Sequence, residues 1–471
     1  WAFLPIYLGP VLLLVCAPWV LQKMVMISKQ ENITSIADFI SARYGKSQLL
    51  AGLVTVIAVI GIIPYIALQL KAIAYSLKII FPDDPEALIP DALEALSFMP
   101  DSTAIIAIIL AIFTILFGTR HLDVTERHEG MVAAVAFESV VKLVIFMAVG
   151  VFVTFGLFDG FGDLFSRAAL EPRLQNLMTM NAGGNTYGNW FALTLLSMLA
   201  VMFLPRQFQV AVVENVNENH LRRAIWLFPL YLLLINIFVL PIALGGLMHF
   251  AGQDVDADTF VLTLPMAQGH GWLALLAFIG GLSAATGMVI VETIALSTMV
   301  CNDLVMPLLL RTRSLALQAE SDLSGLLLRI RRGAIVVILL LGYLYFRLAG
   351  DAYALVGIGL ISFSAVAQFA PAMIGGMYWR GGTRDGALAG LLSGFAVWAY
   401  TLLLPSFSKS GWFPASFLSD GPFGIELLKP HQLFGLTGLD DISHCLFWSL
   451  AANVGAYIAV SLMRAPTAAE A

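Results

Sequence analysis

Long apolar segments recur along this chain and restrict its fold more than any other feature of the sequence. The hydrocarbon core of a bilayer is about 30 Å thick, and an α-helix needs about 20 apolar residues to cross it. Because lipid offers no hydrogen-bond partners, backbone that spans it must be helical or close into a barrel. The sequence therefore predicts an all-α polytopic membrane protein, with eleven transmembrane segments at approximately 3–24, 49–80, 103–118, 131–156, 190–210, 224–248, 271–300, 333–349, 353–378, 386–405 and 442–463.

Composition excludes an ordinary soluble domain. Of the 471 residues, 59% are hydrophobic and 12% are charged, whereas soluble proteins carry about 25% charged residues. The sequence contains no catalytic motif and no pattern typical of nucleic-acid binding, and its three cysteines lack the spacing of metal ligands. We therefore expect no cofactor, no metal site and no nucleic-acid partner, and nothing in this chain argues for an enzyme.

Basic residues are distributed asymmetrically between the predicted loops. Alternate loops on one side hold 17 of the 25 lysines and arginines, and the opposite loops hold four. Since cytoplasmic loops are enriched in Lys and Arg, we expect a multi-pass protein of the cell inner membrane with its C-terminus in the cytoplasm. Residues 32–47 lie on the cytoplasmic side in this arrangement, and they show the pattern of a short amphipathic helix with Ser35 as its N-cap.

Three segments resemble motifs of the sodium/solute symporter family. They are "ITSIADFISARYGK" (33–46), "AVAFESVVKL" (134–143) and "FAPAMIGGMYWRGGTRDGALAGLLSG" (369–394), and their order and spacing match the family better than any one of them does alone. The resemblance implies the inverted-repeat, five-plus-five helix (LeuT-like) transporter core. It also implies a small polar solute as the partner of a protein embedded in the lipid bilayer.

Two longer stretches resemble the transporter-like N-terminal module of CbrA-type sensor histidine kinases. They are 4–47 and "FLPRQFQVAVVENV" (203–216). The resemblance implies a transporter-like membrane domain at 1–463 that lacks its first two helices, and an exposed cytoplasmic linker that starts at 464–471. The expected partner is then a kinase region of the same parent chain, and the expected solute is an amino acid such as histidine. The alternatives are a stand-alone sodium/solute symporter and a solute receptor that does not transport.

Charged residues inside the apolar segments are candidates for a coupling site. A lone charge at mid-membrane costs about 2.5–3.5 kcal/mol, so it normally faces the helix bundle and finds a partner. Glu138 and Lys142 share one helix face, and the resemblance makes their helix a neighbour of the helix that carries Glu292. We expect a cluster of Glu138, Lys142 and Glu292 that responds to protons. The alternative is a self-contained Glu138–Lys142 pair, with a protonated Glu292 in a polar crevice.

Small residues precede Glu292. The resemblance aligns Ala284, Gly287 and Met288 with sodium ligands of the family, the last two with hydroxyl residues. Hard cations prefer oxygen ligands, which Gly287 and the Met288 thioether do not supply, so we expect coupling to protons rather than to sodium. Burial favours the neutral form of an amine, and Lys142 near Ala284 is the expected switch. The alternative is that the small residues only allow close helix packing.

The segment around Pro205 matches the broken helix of the family. Pro205 removes a backbone donor and interrupts the helix, so Pro205 and Gln207 are candidates for the substrate path. The alternative is a cytoplasmic helix end, from which the long side chain of Arg206 reaches the membrane surface.

Overall fold

The computed structural model of this protein describes residues 3–16, 18–81, 102–118, 129–178, 186–217, 219–311, 323–349, 354–467 and 470. Every regular element in these ranges is helical. Seven of the described helices are long and apolar enough to cross a membrane, or eight if a pair bent by 55° is counted as one span. The prediction of an all-α polytopic membrane protein is therefore confirmed.

The N-terminal part contains ten helices in the described ranges, two of which continue as π-helical turns. They are α1 (Leu4–Val15), α2 (Leu21–Glu31), α3 (Ile36–Arg43), α4 (Gln48–Ile80), α5 (Ser102–Gly118), α6 (Glu129–Phe152, continued by Val153–Leu157), α7 (Phe161–Leu170), α8 (Pro172–Met178), α9 (Tyr187–Phe203) and α10 (Pro205–Phe208, continued by Gln209–Val213).

The C-terminal part has a similar mixture of long and short helices, with two more π-helical continuations. They are α11 (Asn219–Asn236), α12 (Val239–His249), α13 (Phe260–Ala267), α14 (Gly271–Met299, continued by Val300–Val305), α15 (Met306–Arg311), α16 (Leu323–Ala349), α17 (Leu355–Val366), α18 (Phe369–Tyr378), α19 (Arg384–Trp398, continued by Ala399–Leu403), α20 (Leu404–Lys409), α21 (Ser416–Ser419) and α22 (Asp441–Leu462).

The described helices account for seven or eight of the eleven predicted segments as membrane spans. The segment 3–24 is two helices, because α1 ends at Val15 and α2 begins at Leu21; Pro18 between them has no backbone N–H to donate. Helix α5 has 17 residues, which is at the short end of what a bilayer core requires. Helix α16 covers the predicted segment 333–349, although it is not among the seven.

Helices α4 and α14 position the site. Helix α4 is 33 residues long and has its buried residues on all sides, because it packs against α14, α16 and α17. Helix α14 packs against α4, α6 and α10. Segments that are far apart in the chain therefore meet along one stretch of α14.

The expected cytoplasmic helix within 32–47 is present as α3. The Ser35 side chain accepts a hydrogen bond from the Asp38 N–H at 3.0 Å, as an N-cap does. The C-terminal segment departs from expectation at Glu470, which is buried, whereas Arg464, Ala465 and Thr467 are exposed as expected. The Glu470 carboxylate accepts hydrogen bonds from the backbone N–H groups of Thr467 and Arg384, and these donors hold the segment against the membrane domain.

Candidate functional site

The carboxylate of Glu138 lies directly on the small-residue segment of α14. A Cβ atom added to Gly287 would stand 2.2 Å from Oε2 of Glu138, so the space that a side chain would occupy at Gly287 is taken by the carboxylate. On its other side, Oε1 of Glu138 accepts a hydrogen bond from Nζ of Lys142 at 3.4 Å. The Glu138 side chain is 11% exposed and that of Lys142 is 26% exposed. The pair therefore connects α6 to the expected ion-site region of α14.

Lys142 does not contact that region as expected. We predicted an approach of its ammonium to the backbone carbonyls around Ala284, but the hydrogen bond that the structure gives Lys142 in the described ranges is the one to Glu138. The physical reason is spacing: residues four apart on a helix face each other, and the carboxylate stands between the lysine and α14. Glu138, rather than Lys142, fills the space at Gly287.

Met288 contacts a tyrosine from a different helix. The hydroxyl of Tyr65 on α4 donates a hydrogen bond to Sδ of Met288 at 3.2 Å. Ala284, one turn earlier on α14, is half-buried. The Met288 thioether is thus engaged with a neutral donor, and neither Met288 nor Gly287 supplies an oxygen from its side chain. This geometry is a poor one for a hard cation.

Glu292 is fully buried, with an exposed fraction of 0%. Neither of its carboxylate oxygens has a hydrogen-bond partner among the described residues. Its strongest electrostatic neighbour is Arg206, whose guanidinium and backbone N–H both act on the carboxylate. A buried carboxylate in this situation is costly to keep charged, so Glu292 is a group whose proton occupancy responds to its surroundings.

Arg206 points into the helix bundle. Helix α9 ends at Phe203, the extended Leu204 follows, and Pro205 begins α10, which produces the 55° bend. The Arg206 guanidinium lies over the ring of Tyr65, with Cζ 5.6 Å from the ring centroid. The alternative of an arginine that reaches out to the membrane surface is therefore wrong, since Tyr65 and the buried charges of α6 and α14 attract it inward.

The two substrate-path candidates at this bend have different environments. Pro205 is buried and Gln207 is half-buried. The described part of the chain gives the Gln207 side chain no hydrogen bond, so its role stays a prediction. Pro205 acts through the backbone, because the bend that it creates turns the Arg206 side chain toward α14.

The charges of this cluster balance. Arg206 and Lys142 contribute two positive charges, and Glu138 and Glu292 contribute two negative ones when ionised. Electrostatic interactions link Arg206 to both carboxylates. A change in the proton number of one glutamate breaks the balance in a region of low dielectric, where unpaired charge is expensive. The arrangement can therefore couple a proton to a second charged species.

A cavity of about 580 Å³ lies elsewhere and does not carry this chemistry. It is lined by residues such as Glu171, Arg173 and Phe250, none of which belongs to the charge cluster. We place the candidate site at the cluster, because buried ionisable groups within a membrane mark functional sites more reliably than an open depression does.

Comparison with known proteins supports a transporter. No protein-family model matches the chain. The chain is 26% identical over 402 residues to the "Monocarboxylate transport permease protein" of Rhizobium johnstonii, which covers 84% of this chain and 72% of that one. It is 23% identical over 385 residues to the "Uncharacterized symporter YhjB" of Bacillus subtilis, with coverage of 81% and 71%. These relatives are named as a permease and a symporter.

The fold matches a solved transporter. The structure resembles a Na⁺-coupled sialic acid symporter in its substrate-bound outward-open state, with a TM-score of 0.61 and 12% identity, over 98% of this chain and 84% of that one. The prediction of the LeuT-like transporter fold is therefore confirmed. The chain is a multi-pass membrane protein with the architecture of a solute symporter.

Two residues of the cluster were missed or misread from the sequence. Tyr65 gave no signal, because a tyrosine in an apolar helix is ordinary. Arg206 was counted with the cytoplasmic loops, although its place one residue after a helix-breaking proline inside an apolar run could have marked it. The sequence identified Glu138, Lys142 and Glu292 through their charge alone.

Proposed function

We propose that this protein is a secondary transporter that couples the movement of a small polar solute to protons rather than to sodium. The observation that carries the proposal is the position of Glu138 between Gly287 and Lys142. In this arrangement a lysine ammonium already neutralises the carboxylate next to α14, so the pair needs no sodium ion for charge balance. The relatives named as symporters support a coupled mechanism.

Proton uptake and release fit the buried charges. A proton that reaches Glu138 weakens its ion pair with Lys142, and a proton on Glu292 removes the negative charge that faces Arg206. Either event changes the forces between α14 and its neighbours α6 and α10. Movement of these helices relative to one another is the kind of change that alternating access requires.

Uptake into proteoliposomes tests the coupling ion. Purified protein is reconstituted with a proton gradient, a sodium gradient or neither, and accumulation of labelled solutes is measured with sodium replaced by potassium outside. We expect accumulation that follows the proton gradient, collapses with a protonophore and persists in potassium. Strict dependence on sodium would contradict proton coupling but would still show that the protein is a transporter.

The C-terminal segment favours a second candidate function, that of a solute receptor linked to a signalling region. Arg464, just after α22, donates a hydrogen bond to Asp385 at 2.6 Å, and Arg384 donates its backbone N–H to Glu470 at 3.0 Å. Arg43 at the end of α3 donates to the backbone carbonyl of Glu470. A movement of α3 or α19 would therefore shift this segment. The link to a kinase region has its support in sequence resemblance alone.

The Glu470 carboxylate is the centre of this attachment. Burial by itself raises the pKa of Glu470, but the N–H donors of Thr467 and Arg384, the Thr467 hydroxyl and the Arg464 guanidinium outweigh it and lower the pKa to about 2. The contribution of these contacts to stability is then complete above the ordinary pKa of about 4.3 and is lost as the pH falls toward 2. At cellular pH the attachment is fully formed.

Hydrogen exchange of residues 464–467 tests the receptor candidate. Solute is added to the wild type and to a Glu470→Gln variant, whose neutral side chain cannot form the ion pair with the Arg464 guanidinium. We expect solute to alter exchange of this segment in the wild type and to have little effect in the variant, where exchange is already fast. Unchanged exchange on saturation with a transported solute would argue for a transporter without a signalling role.

A further inference from the structure

Arg206 has hydrogen-bonding capacity that the protein does not use. Its Nε is buried and has no hydrogen-bond partner among the described residues, while the side chain as a whole is half-buried. A guanidinium presents five N–H donors in a planar fork that matches the two oxygens of a carboxylate. A buried donor without an acceptor is costly, so this position is suited to receiving an acceptor from a ligand.

The group that faces Arg206 is itself buried without a hydrogen-bond partner. Neither carboxylate oxygen of Glu292 has a hydrogen bond in the described ranges, although Arg206 is the charge that acts on it most strongly. The arginine and the glutamate therefore attract each other while Nε of Arg206 and both oxygens of Glu292 stay without a hydrogen bond. Tyr65 lies beside this pair, with its ring under the guanidinium and its hydroxyl on Met288.

We propose that Arg206 binds the carboxylate group of the transported solute, and that Glu292 carries a proton while the solute is bound. This inference rests on the proposed transport function and names the class of its substrate as small organic acids, amino acids included. A protonated Glu292 offers one O–H donor, which can donate to the same carboxylate that the Arg206 fork binds. The solute carboxylate then accepts hydrogen bonds from both the Arg206 guanidinium and the protonated Glu292.

Charge balance joins the solute to the proton. The cluster of Arg206, Lys142, Glu138 and Glu292 is formally neutral, and a bound carboxylate adds one negative charge. An uncompensated charge in the membrane interior is expensive, and one proton on a Glu292 oxygen removes it. When the solute leaves, the proton returns to water and Glu292 again faces Arg206. No covalent bond is made or broken in this cycle.

The groups around Glu292 are few. Facing it are the Arg206 guanidinium from α10 and the Tyr65 hydroxyl from α4, with Glu138 and Lys142 of α6 further along the cluster. Tyr65 is neutral at the pH of interest, so Arg206 is the dominant influence on the charge of Glu292.

Helix α16 also packs on α14 and carries Arg329, Arg331, Arg332 and Arg347, but the charged group that acts on Glu292 is Arg206. Helices α5 and α13 contain no charged residue. Arg331 of α16 interacts with Cys301, which lies more than two helical turns beyond Glu292 along the chain. The proton equilibrium of Glu292 is therefore governed by Arg206 and by whatever anion Arg206 binds.

The names of two compared proteins agree with an acidic solute. One relative is named as a monocarboxylate permease, and the solved structure is that of a sialic acid symporter. These names describe those proteins; the argument for this chain is the unused donor capacity of Arg206 and the matching unpaired carboxylate.

Thermal-shift binding on the full chain in detergent tests the solute class separately from transport. The probes are acetate, propionate, pyruvate, lactate and histidine, each compared with its amide. We expect at least one acid to raise the Tm and its amide to have no effect, because the amide cannot accept from the arginine fork as an anion does. Binding of the amides as tightly as the acids, or binding of none of the acids, would overturn the inference.

Variants assign the effect to residues. Arg206→Gln should weaken binding of the acid by roughly ten- to a hundredfold, and Arg206→Lys should fall between, because an ammonium lacks the planar fork. Arg222→Gln, an exposed arginine on α11, is the matched control and should bind as the wild type does. If Arg206→Gln is unstable, the comparison of acids with amides in the wild type still decides the question.

Glu292→Gln tests the proton. The variant is permanently neutral, so its binding of the acid should be independent of pH between 5.5 and 8, whereas wild-type binding should weaken toward alkaline pH. Persistent pH dependence in Glu292→Gln would contradict the role of Glu292. Proton-driven uptake of a solute without a carboxylate would leave the transport proposal intact and refute this inference. Sodium-driven uptake of an acid that requires Arg206 would refute proton coupling and support the binding of the solute carboxylate by Arg206.

Discussion

Oε2 of Glu138 occupies the place where a side chain would stand at Gly287, 2.2 Å from the position of an added Cβ. The contact joins α6 to α14, because the Glu138 carboxylate packs against α14 at the position where Gly287 has no side chain. Gly287 is therefore required for the approach of these groups, and its small size serves more than helix packing.

Gly287→Ala should displace the Glu138 carboxylate from α14. Because a carboxylate is the movable end of its side chain, we expect a destabilisation at the low end of the about 1–3 kcal/mol typical of overpacking, but a large loss of proton-driven uptake. Gly281→Ala on the same helix is the control, since a Cβ there has no neighbour within 4 Å. Tm and uptake of the two variants are compared; equal uptake would show that the contact has no role in coupling.

Lys142→Met should separate stability from coupling. Removal of one member of a fully buried ion pair costs about 3–5 kcal/mol, and Lys142 is 26% exposed, so we expect a smaller loss of stability together with uptake that no longer responds to pH. Lys142→Arg should retain stability and still fail in coupling, because a guanidinium stays protonated. The exposed Lys78 provides the control as Lys78→Met. Normal pH-dependent uptake by Lys142→Met would remove the lysine from the mechanism.

Acid should loosen the loop 410–440 where it meets α22. Burial lowers the pKa of His431, and Asp441, whose Oδ1 lies 3.2 Å from Nδ1, only partly opposes this. Below about pH 6.5 the loosened loop takes up a proton more readily than the packed one, so its packing weakens as the pH falls. The protection factors of the amides in 410–440, which correct for the slower intrinsic exchange at lower pH, should fall as the pH is lowered from 7.5 to 5.5 in the wild type.

His431→Gln should flatten that dependence, and His220→Gln, at an exposed histidine on α11, should leave it unchanged. The two variants separate titration of the buried histidine from a general effect of acid. An equal response to acid in His431→Gln and the wild type would exclude His431 as the cause.

The predicted membrane orientation rests on the positions of the basic residues and can be tested by labelling. We expect a cysteine introduced at exposed Arg311 to react with an impermeant reagent only from the cytoplasm, and one at exposed Asp420 to react only from outside. Cys16, Cys301 and Cys445 are first replaced by serine, because Cys16 is itself exposed. Labelling of residue 311 from outside would reverse the assigned orientation.

The sequence by itself determined where most of the helices lie and which residues are candidates for the chemistry. Apolar length located the spans, Ser35 marked the start of α3, and Pro205 marked a break in a membrane helix. The cost of charge in lipid singled out Glu138, Lys142 and Glu292. These inferences depend on local properties, namely hydrophobicity, backbone donors and side-chain charge, which a reader of the chain can evaluate residue by residue.

The tertiary structure alone decided which of these groups meet. Glu138 and Gly287 are 149 positions apart in the chain, and Tyr65, Arg206 and Glu292 come from three separate helices. Helical periodicity assigns a residue to a face but does not say which helix that face contacts. The sequence did not show that the Glu138 carboxylate contacts both Lys142 and the space at Gly287, or that the bend at Pro205 turns Arg206 inward. These arrangements exist only once α4, α6, α10 and α14 have packed together.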